Sequence, residues 1–373
     1  MSKLPNCCDG ANASNKTFDE MRAVARSMMA EFNRKKKAFE VQKTKFKPSG
    51  CIDASRLSRY KVSENIFKRN KQLPEGKSHG VYVLVDTSGS MQSVYSAVIA
   101  QATQIAVFCK TASIPFKIVT FTDGVGFGGG YRGGYLQHDA VLETDGVLSY
   151  ELYSSDMTMD YIETFYHAYR LSYQIGYTTI PSDANLTLEK FFGTTRSELN
   201  NSIKAMLTMN GTPLYGSMIE CFSDCISFRA RHSIQNMNML LISDGGDSGN
   251  SFSSDGATHL IHPRTNARVI LRGEKFGVLK SINALFGVDH VKTHAIYIGK
   301  TIDWAISGAA ALGLKPTKKT DDAKANLAEF VAAENTAGFT SLAATTTNML
   351  KDKNSVNALA KHIVTKFTED YGF

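Results

Sequence analysis

Nothing in this chain approaches the ~20 consecutive apolar residues that a bilayer-spanning helix requires, so no membrane span is expected. The opening Met1-Ser2-Lys3-Leu4-Pro5 is too polar for a signal peptide, and the expectation is a soluble, cytoplasmic protein. Cysteine is scarce, with six in 373 residues. Cys221 and Cys225 lie four apart on an expected helix, Cys109 lies in an apolar segment, and Cys7, Cys8 and Cys51 have no metal-type partners nearby in sequence. All read as reduced thiols in the core or on the surface, with the adjacent Cys7-Cys8 pair a poor candidate for redox chemistry. A nucleotide-binding P-loop is missing too. Gly76-Lys77-Ser78 has the right ending, but Lys71 stands where the first glycine belongs and the triplet precedes the strand it should follow. Acidic residues are short at one end only. Residues 1–80 hold 18 Lys or Arg against 8 Asp or Glu, so the net charge of +7 belongs to the amino-terminal segment.

What is present is organised around residues 80–92. The run Val81-Tyr82-Val83-Leu84-Val85 reads as a strand buried on both faces, as in the middle of a parallel sheet. The loop that follows places Asp86, Ser88 and Ser90 at alternating positions, with Gly89 free to take backbone angles that strain other residues. Hard oxygen donors of this kind suit a small hard cation, Mg2+ or alternatively Mn2+, and not the softer metals that prefer His or Cys.

Two further stretches share that logic. Asn210-Gly211-Thr212-Pro213-Leu214 sets Thr212 on a loop entering a helix, with Pro213 suited to the first helical position. Met239-Leu240-Leu241-Ile242-Ser243-Asp244-Gly245-Gly246 is again an apolar strand ending in an acid and glycines. Asp86, Ser88, Ser90, Thr212 and Asp244 thus form a candidate ligand set on three loops, which converge at the carboxyl ends of strands in an open parallel sheet. Asp247 is a further carboxylate that could stand behind the ligands, whereas Asp123, at the end of another strand, is not counted among them.

Asp-x-Ser-x-Ser at 86–90, the Thr of Gly211-Thr212-Pro213-Leu214 and the Asp of Ile242-Ser243-Asp244-Gly245 resemble the three parts of the metal-ion-dependent adhesion site of von Willebrand factor A domains. That resemblance implies that the two serines and the threonine touch the metal while the two aspartates act through water. It also implies one open coordination position, filled by an Asp or Glu of a protein partner. Mg2+ demands a near-octahedral oxygen shell and gives up water reluctantly. Mainly neutral hydroxyls leave it electron-poor, so an incoming carboxylate is strongly attracted.

Around the motifs, the chain reads as three regions. Residues 1–77 form a basic, partly helical extension, in which Phe18, Met21, Ala25, Met28 and Phe32 make the apolar stripe of an amphipathic helix ending in Arg34-Lys35-Lys36-Lys37. This helix is expected to dock on the main domain and keep its lysines in water, in preference to binding nucleic acid. A short helix start within 50–57 and a short strand at 66–69 follow.

Residues 78–312 form the A domain, a doubly wound, mostly parallel α/β sheet of Rossmann-like type, with insertions near 124–194 and 248–277. Within it a helix is expected over 95–110, strands over 116–121 and 293–298, and a helix over 156–171. The glycine-rich loop 123–135 reads as a surface loop. The tyrosines between 150 and 177 read as half-buried core. Thr195-Arg196-Ser197-Glu198 resembles a capping box opening the helix before Thr212. A hairpin is expected over 262–271, and the His259/His262 pair lacks a nearby third metal ligand. Residues 313–373 are expected to be a helical tail, with helices over 302–312, 321–334 and 356–367 and no catalytic set.

The segment preceding the metal motif, with Ile52-Asp53, Arg56-Leu57 and Phe67-Lys68-Arg69, is similar to that of the T subunit of cobaltochelatase (CobT), over 38–120 and again 205–300. This resemblance implies a non-catalytic, Mg2+-bearing partner subunit of a ring-forming AAA+ ATPase of the MoxR or CobS type. Such an assembly remodels a client or inserts a metal into a tetrapyrrole. The alternatives are a stand-alone adhesion or scaffold module of phage-encoded type, as some large tailed phages carry relatives, and a metal-dependent hydrolase. Against the hydrolase stands the absence of a general base beside the motif.

Overall fold

The computed structural model of the chain describes residues 18–43, 45–47, 53–62, 70–72, 78–93, 95–123, 142–144, 147–174, 211–244, 259–261, 268–270, 277–299, 328–330 and 338–346. Its centre is β3 (His79–Asp86), the expected apolar strand, buried at every position. To one side lie β7 (Asn236–Ser243), β10 (Val291–Gly299), β12 (Ser341–Thr346) and β11 (Ala328–Phe330). To the other lie β4 (Phe116–Asp123), β6 (Val147–Ser154) and β5 (Leu142–Thr144). The sheet order is β11-β12-β10-β7-β3-β4-β6-β5. The five strands from β12 to β4 run parallel, and β11, β6 and β5 are antiparallel to their neighbours. The sheet is therefore mixed and mostly parallel, in an α/β fold.

Because side chains alternate along a strand, β3 feeds two cores. Val81, Val83 and Val85 point into one, with α1 (Phe18–Lys43), α2 (Tyr95–Thr111) and α3 (Met159–Gln174) packed there. Tyr82 and Leu84 point into the other, under α4 (Leu214–Arg231) and α5 (Gly277–Val288). The amphipathic stripe of α1 is buried at all five expected positions, while Arg34, Lys36 and Lys37 remain exposed. The helix continues through its charge run to Lys43 and packs on α2, so the basic segment supplies part of the core. Among the described residues no helix is long and apolar enough to cross a membrane.

Several expectations need correction. The helix expected over 321–334 contains β11, and the tail expected to be helical over 313–373 contributes two strands to the sheet. Ser341-Leu342-Ala343-Ala344-Thr345-Thr346 carries alanines that favour a helix. The open edge of β10 decides otherwise, pairing from His294–Ser341 through Gly299–Thr346. The hairpin expected over 262–271 starts earlier, as β8 (His259–Ile261) against β9 (Arg268–Ile270). The helix start within 50–57 is a turn in which the Ser55 N–H and hydroxyl both donate to Asp53 Oδ1, leading to a 3-10 turn at Leu57–Arg59. A small hairpin of β1 (Lys45–Lys47) and β2 (Asn70–Gln72) pairs across it. The strand at 66–69, the loop from 124 to 135, the capping box at 195–198, the helices at 302–312 and 356–367, and Asp247 and His262 lie outside the described residues.

Candidate functional site

Asp86 is the last residue of β3, and its carboxylate is completely buried. It was expected on the loop, yet it belongs to the strand end, held from two sides. The Ser88 N–H donates to Asp86 Oδ1 at 2.8 Å and the Ser243 hydroxyl donates to Asp86 Oδ2 at 2.6 Å. The first is the local turn that Asp makes with the amide two residues on. It bends the chain so that Ser88 and Ser90 fall on one side. Thr87 anchors the bend by donating both its N–H (2.9 Å) and its hydroxyl (2.8 Å) to the Phe121 carbonyl of β4. The 3-10 turn Gly89–Ser93 then plants the fully buried Met91 in the core.

The hydroxyls of Ser88 and Ser90 lie 3.0 Å apart, and Ser90 Oγ donates to Asp244 Oδ1 at 2.7 Å. Asp244 directly follows β7, so two loops that are far apart in sequence meet at the carboxyl ends of adjacent strands. Ser90 and Gly89 are exposed while Asp86 and Ser88 are not, which gives the cluster one open side.

Thr212 is buried at the head of α4. Pro213 is the N-cap of that helix, one position earlier than expected, with φ −79° and ψ 62° and no side-chain cap. These angles, with the Leu214 N–H donating to the Thr212 carbonyl at 2.9 Å, make an inverse γ-turn centred on Pro213. Proline supplies the φ that this turn requires.

Four of the five expected ligands, Asp86, Ser88, Ser90 and Asp244, are thus joined by one hydrogen-bonded chain. Sequence reasoning missed Ser243, which closes that chain on Asp86, and Tyr297 of β10, which pairs with Ser243. The parallel register carried the signal. Val85 stands beside Ile242, so the next residue of β7 falls beside Asp86.

Burial pushes the Asp86 carboxyl up to about 7; the Ser243 hydrogen bond pulls it back, the Asp244 charge raises it further, and the Ser88 bonds lower it. Tyr297 is pushed up to about 12 by burial and by the charges of Asp244 and Asp86. Among the described residues, the groups that shift Asp86 are Ser243, a second carboxylate in Asp244, and Ser88. Two carboxylates and neutral hydroxyls gathered beneath the exposed Ser90 are the hard oxygen donors that a divalent cation takes. No group of three or more His, Cys, Asp or Glu suited to a metal occurs among the described residues. The donor set here is of another kind, two carboxylates with hydroxyls.

No family model and no curated protein matches the chain. Among solved structures it is similar to the pilus adhesin SpaC of Lactobacillus rhamnosus GG in its open conformation, at 10% identity and a TM-score of 0.38 over 82% of this chain and 31% of that one. It is similar to the human COPII-coat protein Sec24c, at 8% identity and a TM-score of 0.29 over 63% of this chain and 28% of that one. It is also similar to the three N-terminal domains of the type V pili tip protein Mfa5 of Porphyromonas gingivalis, at 12% identity and a TM-score of 0.23 over 66% of this chain and 30% of that one. The chain spans less than a third of the length of each of these structures, and likenesses this distant carry no functional weight.

Proposed function

We propose that this chain is a docking protein with a doubly wound von Willebrand factor A-type domain, which holds Mg2+ through Asp86, Ser88, Ser90, Thr212 and Asp244. In this reading it is the non-catalytic partner subunit of a ring-forming AAA+ ATPase of the MoxR or CobS type. The observation that carries the reading is the 2.7 Å contact of Ser90 with Asp244, which joins the two loops, together with the 3.0 Å contact of Ser90 with Ser88. When bound, the cation would offer a coordination position to a carboxylate of the partner. The chain's own residues hold and orient it: the hydroxyls supply neutral oxygen, and the carboxylates supply charge. Ser88 and Ser90 are engaged with each other and with Asp244, which favours a ligand role over a nucleophilic one.

Calorimetric titration of EDTA-stripped protein with MgCl2 tests the site, and capture of a purified MoxR-type ATPase with and without Mg2+ tests the partner. Ser90→Ala and Asp244→Ala are the variants of choice, since neither residue is buried. Asp86→Ala would also strip Ser88 and Ser243 of their acceptor. Expected are loss of Mg2+ binding in both variants and capture that EDTA abolishes. Mg2+ binding that persists in both variants would remove the site, and capture indifferent to EDTA would remove the docking role.

A further inference from the structure

Midway along β3 a second polar cluster interrupts the largely apolar seam between the sheet and α4. Tyr82 OH donates to Asp224 Oδ2 at 2.6 Å, and Lys117 Nζ donates to Asp224 Oδ1 at 3.0 Å and lies 2.8 Å from its Oδ2. Lys117 also pairs with Glu151 at 3.2 Å, which ties the cluster to β6. Tyr82 is fully buried, and the side chains of Lys117, Asp224 and Glu151 are 15%, 22% and 10% exposed.

Its geometry relates it to the candidate site. Tyr82, Leu84 and Asp86 alternate along one strand, with Tyr82 and Leu84 packed under the α4 residues Leu214, Met218 and Cys221. From Tyr82 to Asp86 is four residues of strand, about 13 Å. From Asp224 back to Leu214 is ten residues of helix, about 15 Å. The two spans agree within about 2 Å. Fixing Asp224 on Tyr82 therefore brings the head of α4, where Thr212 sits, level with the end of β3, where Asp86 sits. Apolar contacts along the seam tolerate sliding of the helix, whereas a carboxylate held by a phenol and an ammonium does not. A slip of one helical turn would carry Thr212 about 5.4 Å along the strand.

We propose that Tyr82, Lys117 and Asp224 are positioning residues for the cation site, which set the axial register of α4 on β3 and so place Thr212 against Ser88 and Ser90. The proposal rests on the cation reading above. Partners hydrogen-bonded to metal ligands change affinity by about 10- to 100-fold, and a device that acts through the register of a helix belongs at the low end of that range.

The test is a double-mutant cycle between Tyr82→Phe, which keeps the ring and removes the hydroxyl that holds Asp224 and also meets Cys221, and Thr212→Ala. Mg2+ affinity is read by calorimetry, and hydrogen exchange at the Ser217 amide is read in metal-free protein. Expected for Tyr82→Phe are a loss of about tenfold in Mg2+ affinity and faster exchange at Ser217, whose N–H bonds the Pro213 carbonyl in the first turn of α4. In the Thr212→Ala background, Tyr82→Phe should cost nothing further, because the ligand it positions is gone. Asp224→Asn should reproduce both effects. Wild-type protein that binds Mg2+ while Tyr82→Phe binds it within twofold overturns the positioning role alone, as does an equal loss in both backgrounds. Wild-type protein that binds no Mg2+ overturns both this role and the cation site.

Discussion

Asp86 sits where a charge is least welcome, sealed at a strand end with another carboxylate as neighbour. Its carboxyl is raised from 3.8 to about 7, so the folded state favours the neutral acid. The stability this contributes is complete below pH 4 and is lost as pH rises toward 7, a span worth about 4 kcal/mol. Asp86→Asn removes that dependence. In EDTA at pH 8 the variant should resist urea better than the wild type, and at pH 4 no better; added Mg2+ should stabilise only the wild type. A variant that unfolds earlier at pH 8 would mean the carboxylate is already compensated. At this scale the sequence was most legible where chemistry and spacing coincide, as in Asp86, Ser88 and Ser90. Ser243 escaped because a hydroxyl inside an apolar strand acquires meaning only once the neighbouring register is known.

Among the elements, α1 shows what periodicity can reveal and β12 what it cannot. The three-and-four spacing of Phe18, Met21, Ala25, Met28 and Phe32 stated both that a helix forms and which face it buries. Met28→Ala should cost about 2–5 kcal/mol in denaturant unfolding, as for a core methionine. An effect near zero would make α1 an appendage. Alanines in β12 gave the opposite signal from its structure, because pairing with β10 outweighs a weak local preference. Ala343 is flanked by Ile296 of β10 and Glu329 of β11. Proline there removes a donor inside a strand paired on both sides, so Ala343→Pro should lower the melting temperature sharply. An unchanged melting temperature would place this segment outside the sheet. The head of α4 was foreseen within one residue, since proline marked the spot but not that it would cap the helix in place of starting it.

For the molecule as a whole, the proposed cation binds only the folded arrangement, because its ligands lie on loops that folding alone assembles. At a Mg2+ concentration 100 times the dissociation constant the gain is about 2.7 kcal/mol. A rise of a few degrees in melting temperature on adding MgCl2 to stripped protein is expected, and it should disappear in Ser90→Ala. The alternation of buried strands and covering helices was readable because each strand and helix carries its own apolar period into a shared core. The total order of strands was not, since partners are chosen by geometry across hundreds of residues.

The strand order also carries a consequence for biogenesis. While the ribosome has released β10 but not yet β12, the flank of β10 displays unpaired amides and carbonyls to the cytosol-like medium of any translation extract. A nascent chain halted in that interval is a template for association with its siblings, and it should sediment as polysome-bound aggregates until the missing ribbon emerges and closes the edge.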